Sequence, residues 1–200
     1  MMTNTLITAI EKRRTQYALG KTLPASQTEV TALIETAIKL SPSSFNSQSS
    51  RAVILFGQHS EKFWQIVKDE LRKIVPADAF APTDAKITSF AAGAGTVLFY
   101  EDQDTIKSLQ QQFKSYADNF PIWSEQASGM AQYAVWTALA NANIGASLQH
   151  YNPLPDAAAA AEWGIPTSWK LRAQMPFGAN EAPFSEKTFM DDAQRFKVFA

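Results

Sequence analysis

The chain is predicted to be an α+β protein, a three-layer sandwich with a small central sheet between layers of helix. Three observations carry this expectation. Helical patterns outnumber strand patterns, the apolar strand-like stretches are few and short, and long helical segments separate most of them. The 200 residues contain no internal repeat, low-complexity linker or break in composition, so a single domain over 1–200 is expected.

The elements follow in order. Asn4 can cap a first helix with Leu6, Ile7 and Ile10 on one face, ending near Arg14. Gly20 and Pro24 punctuate a connection. Ser26 and Glu29 form a capping box before a helix carrying Val30, Leu33, Ile34, Ala37 and Ile38, which Pro42 stops. Ala52 to Phe56 read as a buried strand. Ser60 opens a third helix with Phe63, Ile66, Val67, Leu71 and Ile74 inward, closed by Pro76. The stretch from Pro76 to Ala92 is mixed and partly helical. A second strand runs from Thr96 to Tyr100, and a polar helix covers Thr105 to Phe113.

Ile122 to Asn143 form the longest periodic segment. Ala127, Ala131, Ala134, Ala138 and Ala142 give it a small-residue face suited to close helix packing. Gly145 ends it, and a third strand is expected near Ala146 to Gln149. A short alanine-rich helix follows, capped by Asp156 and ended by Gly164. Trp169 to Phe177 read as a fourth strand. The tail from Glu186 to Ala200 is charged and aromatic, with a short alternating segment at Arg195 to Phe199.

Composition removes several function classes. A net charge of −1 carries no footprint for nucleic acid. With no cysteine and only His59 and His150, thiolate and histidine-rich metal sites are excluded, and no carboxylate spacing suggests a hard-metal loop. The opening MMTNTLITAIEKRR places its basic residues after the apolar stretch, the wrong order for a signal peptide. No apolar run reaches a membrane-spanning length. A cytoplasmic protein without membrane or nucleic-acid partners is expected. Neither a nucleophile elbow nor a phosphate-loop or dinucleotide glycine motif is present.

Four stretches can carry chemistry. Lys12, Arg13, Arg14 and Thr15 close the first helix: forked guanidinium donors and a hydroxyl suit a phosphate, and the same cations also suit the helix macrodipole. Ser41 to Arg51, SPSSFNSQSSR, hold six serines, Asn46 and Gln48 between two core elements. Such a loop can address the edge of a planar heterocycle, or it can be a helix cap running into a serine-proline loop. Gly145 to Pro153 leave a buried strand, where ligands commonly lie, with His150 either a proton donor or a structural histidine. Lys187 is a second possible phosphate contact or an ordinary exposed lysine.

Taken in order, RRT at Arg13 to Thr15, SPSSFNSQ at Ser41 to Gln48, the strand from Arg51, the glycine-terminated long helix and the basic tail resemble the nitroreductase family of flavin enzymes. The phrases RRTQYALGK, GAGTVLFYEDQ and SLQHYNPLP are similar to its short subgroup, named for a fatty-acid-repression mutant. The resemblance implies a mostly antiparallel sheet flanked by helices, in a homodimer with non-covalent FMN at the subunit interface. NADH or NADPH would be the reductant, and a small nitroaromatic or quinone-like compound the acceptor. By position, Arg13, Arg14 and Thr15 would hold the phosphate end. Pro42, Ser43, Ser44, Asn46 and Gln48 of the other subunit would meet the ring and its chain. The backbone of Leu148, Gln149 and His150 would lie near N5, and Lys187 would add a cation to the phosphate. Tyr17 stands where many members carry a basic residue near the N1–O2 edge, and Lys187 lacks the usual basic neighbour. No catalytic side chain is expected, because the cofactor carries the reaction. Acceptor choice would rest on aromatics such as Phe45, Phe80, Phe90, Phe113, Tyr116, Phe120 and Trp123. A flavin-binding sensor or regulator with little turnover is the alternative.

Overall fold

The computed structural model describes residues 4–199. Met1 to Thr3 of the N-terminal stretch and Ala200 of the tail lie outside them. The helices are α1 (Thr5–Lys12), α2 (Gln27–Lys39), α3 (Gln58–Arg72), α4 (Ala81–Ala91), α5 (Gln103–Gln112), α6 (Phe120–Asn141), α7 (Asp156–Trp163) and α8 (Asp192–Arg195). The strands are β1 (Leu19–Gly20), β2 (Ser50–Phe56), β3 (Gly95–Asp102), β4 (Gly145–Ala146) and β5 (Trp169–Asn180).

The sheet runs β1-β5-β3-β2, with β4 also paired to β5, and every strand pair is antiparallel. Side chains alternate across it. Leu98, Tyr100, Leu55 and Leu171 enter one core with Phe63, Trp64 and Val67 of α3, Ile87 and Phe90 of α4 and Ala159 of α7. Val97, Phe99, Ala173, Met175 and Phe177 enter another with Val30 and Ile34 of α2 and Val135 and Leu139 of α6. The expected α+β sandwich is therefore present, with one core on each face of the sheet. Among the described residues no helix is long and apolar enough to cross a membrane.

Local signals worked where the competing forces are local. Asn4 accepts from the Leu6 N–H, and Ser26 and Glu29 form both arms of the capping box. Elsewhere tertiary contacts move the boundaries. Helix α3 starts at Gln58, and Ser60 is buried against Thr96 at 2.7 Å instead of opening the helix. It ends at Arg72, so Ile74 points outward at 63% exposure. Pro155 takes the cap position of α7, leaving Asp156 inside its first turn. The third strand is only two residues long; the chain then touches β5 again at a single bridge, Gln149 with Gln174. The mixed stretch after Pro76 resolves into α4, with Pro82 in its first turn. In the tail, Asp191 caps the four-residue α8, and the alternating segment after it forms no strand.

Candidate functional site: a strand edge beside an arginine corner

Arg13 is the C-cap of α1, and the chain then runs extended. Thr15 bridges Ala146 of β4, and the Gln16 N–H donates to the Ala146 carbonyl at 2.9 Å. Gln16 is buried: its amide donates to the Ala182 carbonyl at 2.7 Å, and its side-chain oxygen accepts from the Ala18 N–H at 3.0 Å. These bonds fasten the arginine segment to β4 and hold the start of the tail beside it. The Arg13 guanidinium lies 4.4 Å from the Trp136 ring centroid. Arg14 donates to the Ser185 carbonyl. It also lines a cavity of about 380 Å³ with Lys12, Asn143, Gly145, Asn180 and Phe184. The Asn180 Oδ1 there is buried without a hydrogen-bond partner among the described residues, an acceptor open to a donor. Lys187 does not line this cavity; it is exposed, with its ammonium over Phe189. Tyr17 is exposed as well.

From β4 the chain leads directly to the second candidate group. The Gln149 N–H is committed to the Gln174 carbonyl at 2.7 Å, so it is not free for a ligand. Gln174 in turn accepts from the Tyr151 N–H at 2.7 Å and donates to Asn152 at 3.2 Å. The backbone N–H groups of Leu148 and His150 have no partner among the described residues. They alternate with the paired ones, as a strand edge requires. The His150 side chain is exposed and the Leu148 side chain half-buried.

The serine loop is ordered by its own bonds. Phe45, Asn46 and Gln48 take left-handed backbone angles of φ 57°, 50° and 47°. Non-glycine residues hold such angles at a cost, so other contacts must over-determine the turn. Several do. The Gln48 N–H donates to Ser43 Oγ at 3.0 Å, and the Asn46 N–H to the Ser43 carbonyl at 2.9 Å. Arg51 donates to the Gln48 carbonyl and pairs with Asp102 at 3.0 Å. Burial opposes the charge on Asp102, but hydrogen bonds from Thr105, the Asp104 N–H and Ser168, with Arg51 beside it, outweigh burial and hold its carboxyl below the usual range. Pro42, Ser43 and Gln48 line a cavity of about 220 Å³ with Lys39, Ser50 and Arg51. Ser44 and Asn46 belong to the turn but not to that cavity.

Within one chain the loop and the arginine corner line separate cavities. The aromatics divide as well. Phe45 packs on Phe113, Phe120, Tyr116 and Trp123, with centroids 4.7 to 6.1 Å apart. Phe80 and Phe90 instead belong to the core under α3 and α4, away from this cluster. Three site features were missed from sequence: Gln16, Asn180 and the buried acid Glu101. Gln16 had a signal, since it directly follows Arg13 to Thr15 and alternates inward; the other two depend on strand pairing.

The chemistry of these groups fits a flavin mononucleotide. Guanidinium groups suit a phosphate, and unpaired strand N–H groups suit ring heteroatoms. The hydroxyls and amides of the loop suit the ring's polar edge.

Comparison with known proteins agrees. A model of the nitroreductase family matches residues 10–179. Nitroreductase FRM2 of Saccharomyces cerevisiae is 32% identical over 195 residues, covering 95% of each chain. HBN1 of the same yeast is 38% identical over 190 residues, covering 93% of each. Nitroreductase CinD from Lactococcus lactis, solved with chloramphenicol and with 4-nitrophenol, is 51% identical with a TM-score of 0.90; the match covers 98% of this chain and 100% of that one. A nitroreductase with bound FMN from Desulfitobacterium hafniense, at 14% identity and a TM-score of 0.71 over the whole of both chains, shares the fold. Sheet, strand edge and relatives converge: the chain belongs to the nitroreductase family of oxidoreductases.

Proposed function

We propose that this protein is an FMN-dependent oxidoreductase that uses NADH or NADPH to reduce nitroaromatic or quinone-like acceptors in a ping-pong cycle. One observation carries the reading. The unpaired N–H groups of Leu148 and His150 lie on the segment that continues β4, the strand that Thr15 and Gln16 fasten to the arginine corner. Phosphate donors and ring donors are thus joined through β4.

In this reading Arg13, Arg14 and Thr15 hold the phosphate, with Lys187 as a further cation from the tail. Bound FMN would supply the redox chemistry that links the nicotinamide to the acceptor. Leu148 and His150 orient the ring through their backbone. Solvent can supply protons, so the exposed His150 side chain needs no acid role. The complexes of CinD with chloramphenicol and 4-nitrophenol support an aromatic acceptor, and the aromatic cluster around Phe45 offers apolar walls for one.

The homodimer has its own support. Leu40 is 80% exposed, and Leu6, Met130 and Tyr133 are also open. They border a groove of about 480 Å³ between α1, the end of α2 and α6, and Pro42 stands on its rim. An apolar face of this kind suits a second copy, which would bring its serine loop with it. The decisive experiment is the absorption spectrum of purified protein. Flavin bands bleached by NADH without oxygen and restored by 4-nitrophenol are expected. Colourless protein that takes up no FMN would sink the proposal, and bound flavin without turnover would favour a regulatory role.

A further inference from the structure

Glu101, near the end of β3, is fully buried, and no cation pairs with it among the described residues. Three hydroxyls donate to its carboxylate: Ser49 at 2.6 Å, Ser50 at 2.5 Å and Ser124 at 2.7 Å. Ser49 and Ser50 lie where the serine loop enters β2, and Ser124 lies near the start of α6. The carboxylate therefore ties loop, sheet and helix together at one point. It also sets polarity. All three hydroxyls donate to it, so each serine spends its single proton there. Ser50 lines the loop cavity, and there its oxygen can only accept. Ser43 differs: its oxygen accepts from the Gln48 N–H, which leaves its proton free to donate into the same cavity.

We infer that Glu101 is a positioning residue for cofactor binding: it fixes Ser50 as an acceptor, so the loop cavity selects a ligand edge that presents an N–H donor beside a carbonyl. This inference rests on the FMN reading above. A heterocyclic imide edge, alternating carbonyl and N–H, has the required pattern. Ser49 provides an internal contrast. It donates to the same carboxylate but is fully buried and does not line the cavity. A purely structural role for Glu101 makes Ser49→Ala and Ser50→Ala equivalent; a polarity-setting role does not.

The test is FMN affinity, read by flavin fluorescence, in the full-length protein and in Glu101→Gln, Ser49→Ala, Ser50→Ala and Glu101→Gln/Ser50→Ala. Glu101→Gln and Ser50→Ala are each expected to weaken binding about tenfold, the usual scale for one mismatched hydrogen bond in a buried site. Ser49→Ala is expected to lower thermal stability and leave affinity within about twofold, because it leaves the cavity unchanged. The double variant is expected to bind no worse than either single one, since both act through one hydroxyl. Should Glu101→Gln fail to fold, the Ser49 and Ser50 variants still decide. Equal losses from the two serines, losses that multiply in the double variant, or wild-type affinity in Glu101→Gln would overturn the inference while leaving the cofactor reading intact. Wild-type protein that binds no FMN overturns both.

Discussion

At the scale of single residues, Arg13 and Asp156 show opposite uses of charge. Arg13 is already placed: its guanidinium rests on Trp136 and its backbone ends α1. A group held this way loses little freedom on meeting a phosphate. Arg13→Ala is expected to weaken FMN binding by about 1.5–3 kcal/mol, the range for a charge-assisted hydrogen bond. Titration of the apoprotein measures this, and unchanged affinity removes Arg13 from the phosphate site. Asp156 is held uncomfortably. Burial raises its carboxyl above the usual range, while Lys170 and Arg172 only partly oppose this, and its Oδ1 has no partner among the described residues. The buried Tyr100 hydroxyl is likewise unpaired among the described residues, its acidity lowered by burial and by Asp156. A carboxyl raised on folding binds its proton more tightly in the native state. Its contribution to stability is then present in acid and lost as pH rises through the native value. Asp156→Asn mimics the protonated form. Thermal melts should show it more stable than wild type at neutral pH, with the gain vanishing below the ordinary carboxylate range. A gain that grows in acid would refute this account.

At the scale of elements, close approach of backbones decides how the arginine corner is mounted. A side-chain carbon on Gly178 of β5 would come within 2.1 Å of the Gly20 carbonyl of β1 and 2.9 Å of the Ala94 nitrogen. Neither backbone can yield cheaply, so Gly178→Ala is expected to cost about 1–3 kcal/mol by overpacking. Because β1 continues the chain from Thr15 and Gln16, FMN affinity should fall with stability; denaturant midpoints and flavin titration test both. These contacts also explain what could be read from the chain. Caps, helix faces and the apolar cores of β2, β3 and β5 rest on neighbours a few residues apart, and sequence shows them. Strand β1, two residues long, exists only because Leu19 and Gly20 meet Asn180 and Ala179 across some 160 positions. The Ser50–Glu101 register is equally non-local, so the acid beneath the serine loop was invisible although both sequences were in plain view. The arginine segment and the Leu148 to His150 strand were recognisable as chemistry, but their joining through the Thr15–Ala146 bridge was not. The Gln149 N–H, expected near a ligand, is spent on Gln174 because alternate groups of an edge strand face the sheet.

At the scale of the whole molecule, the separation of the two candidate half-sites becomes meaningful. The arginine corner and the serine loop line different cavities of one chain, and the loop sits at the rim of an exposed apolar groove. A second copy seated on that groove would cover Leu6, Leu40 and Tyr133 and present its own loop to the first chain's strand edge. Cofactor binding and association would then be thermodynamically linked: each would strengthen the other. Leu40→Glu isolates this linkage. Leu40 is 80% exposed and caps the end of α2, so charging it should leave the monomer's fold and its melting behaviour nearly unchanged. Burying the new carboxylate in an apolar interface should weaken dimerisation by at least about tenfold, or ~1.4 kcal/mol. Sedimentation should therefore show monomer at concentrations where wild type is dimeric. FMN affinity should fall in the same variant, although residue 40 lines neither the arginine cavity nor the loop cavity. Raising protein concentration should restore both together. A monomeric Leu40→Glu protein that holds FMN as tightly as wild type would mean that one chain contains the whole site, and the loop's role at a subunit seam would have to be abandoned.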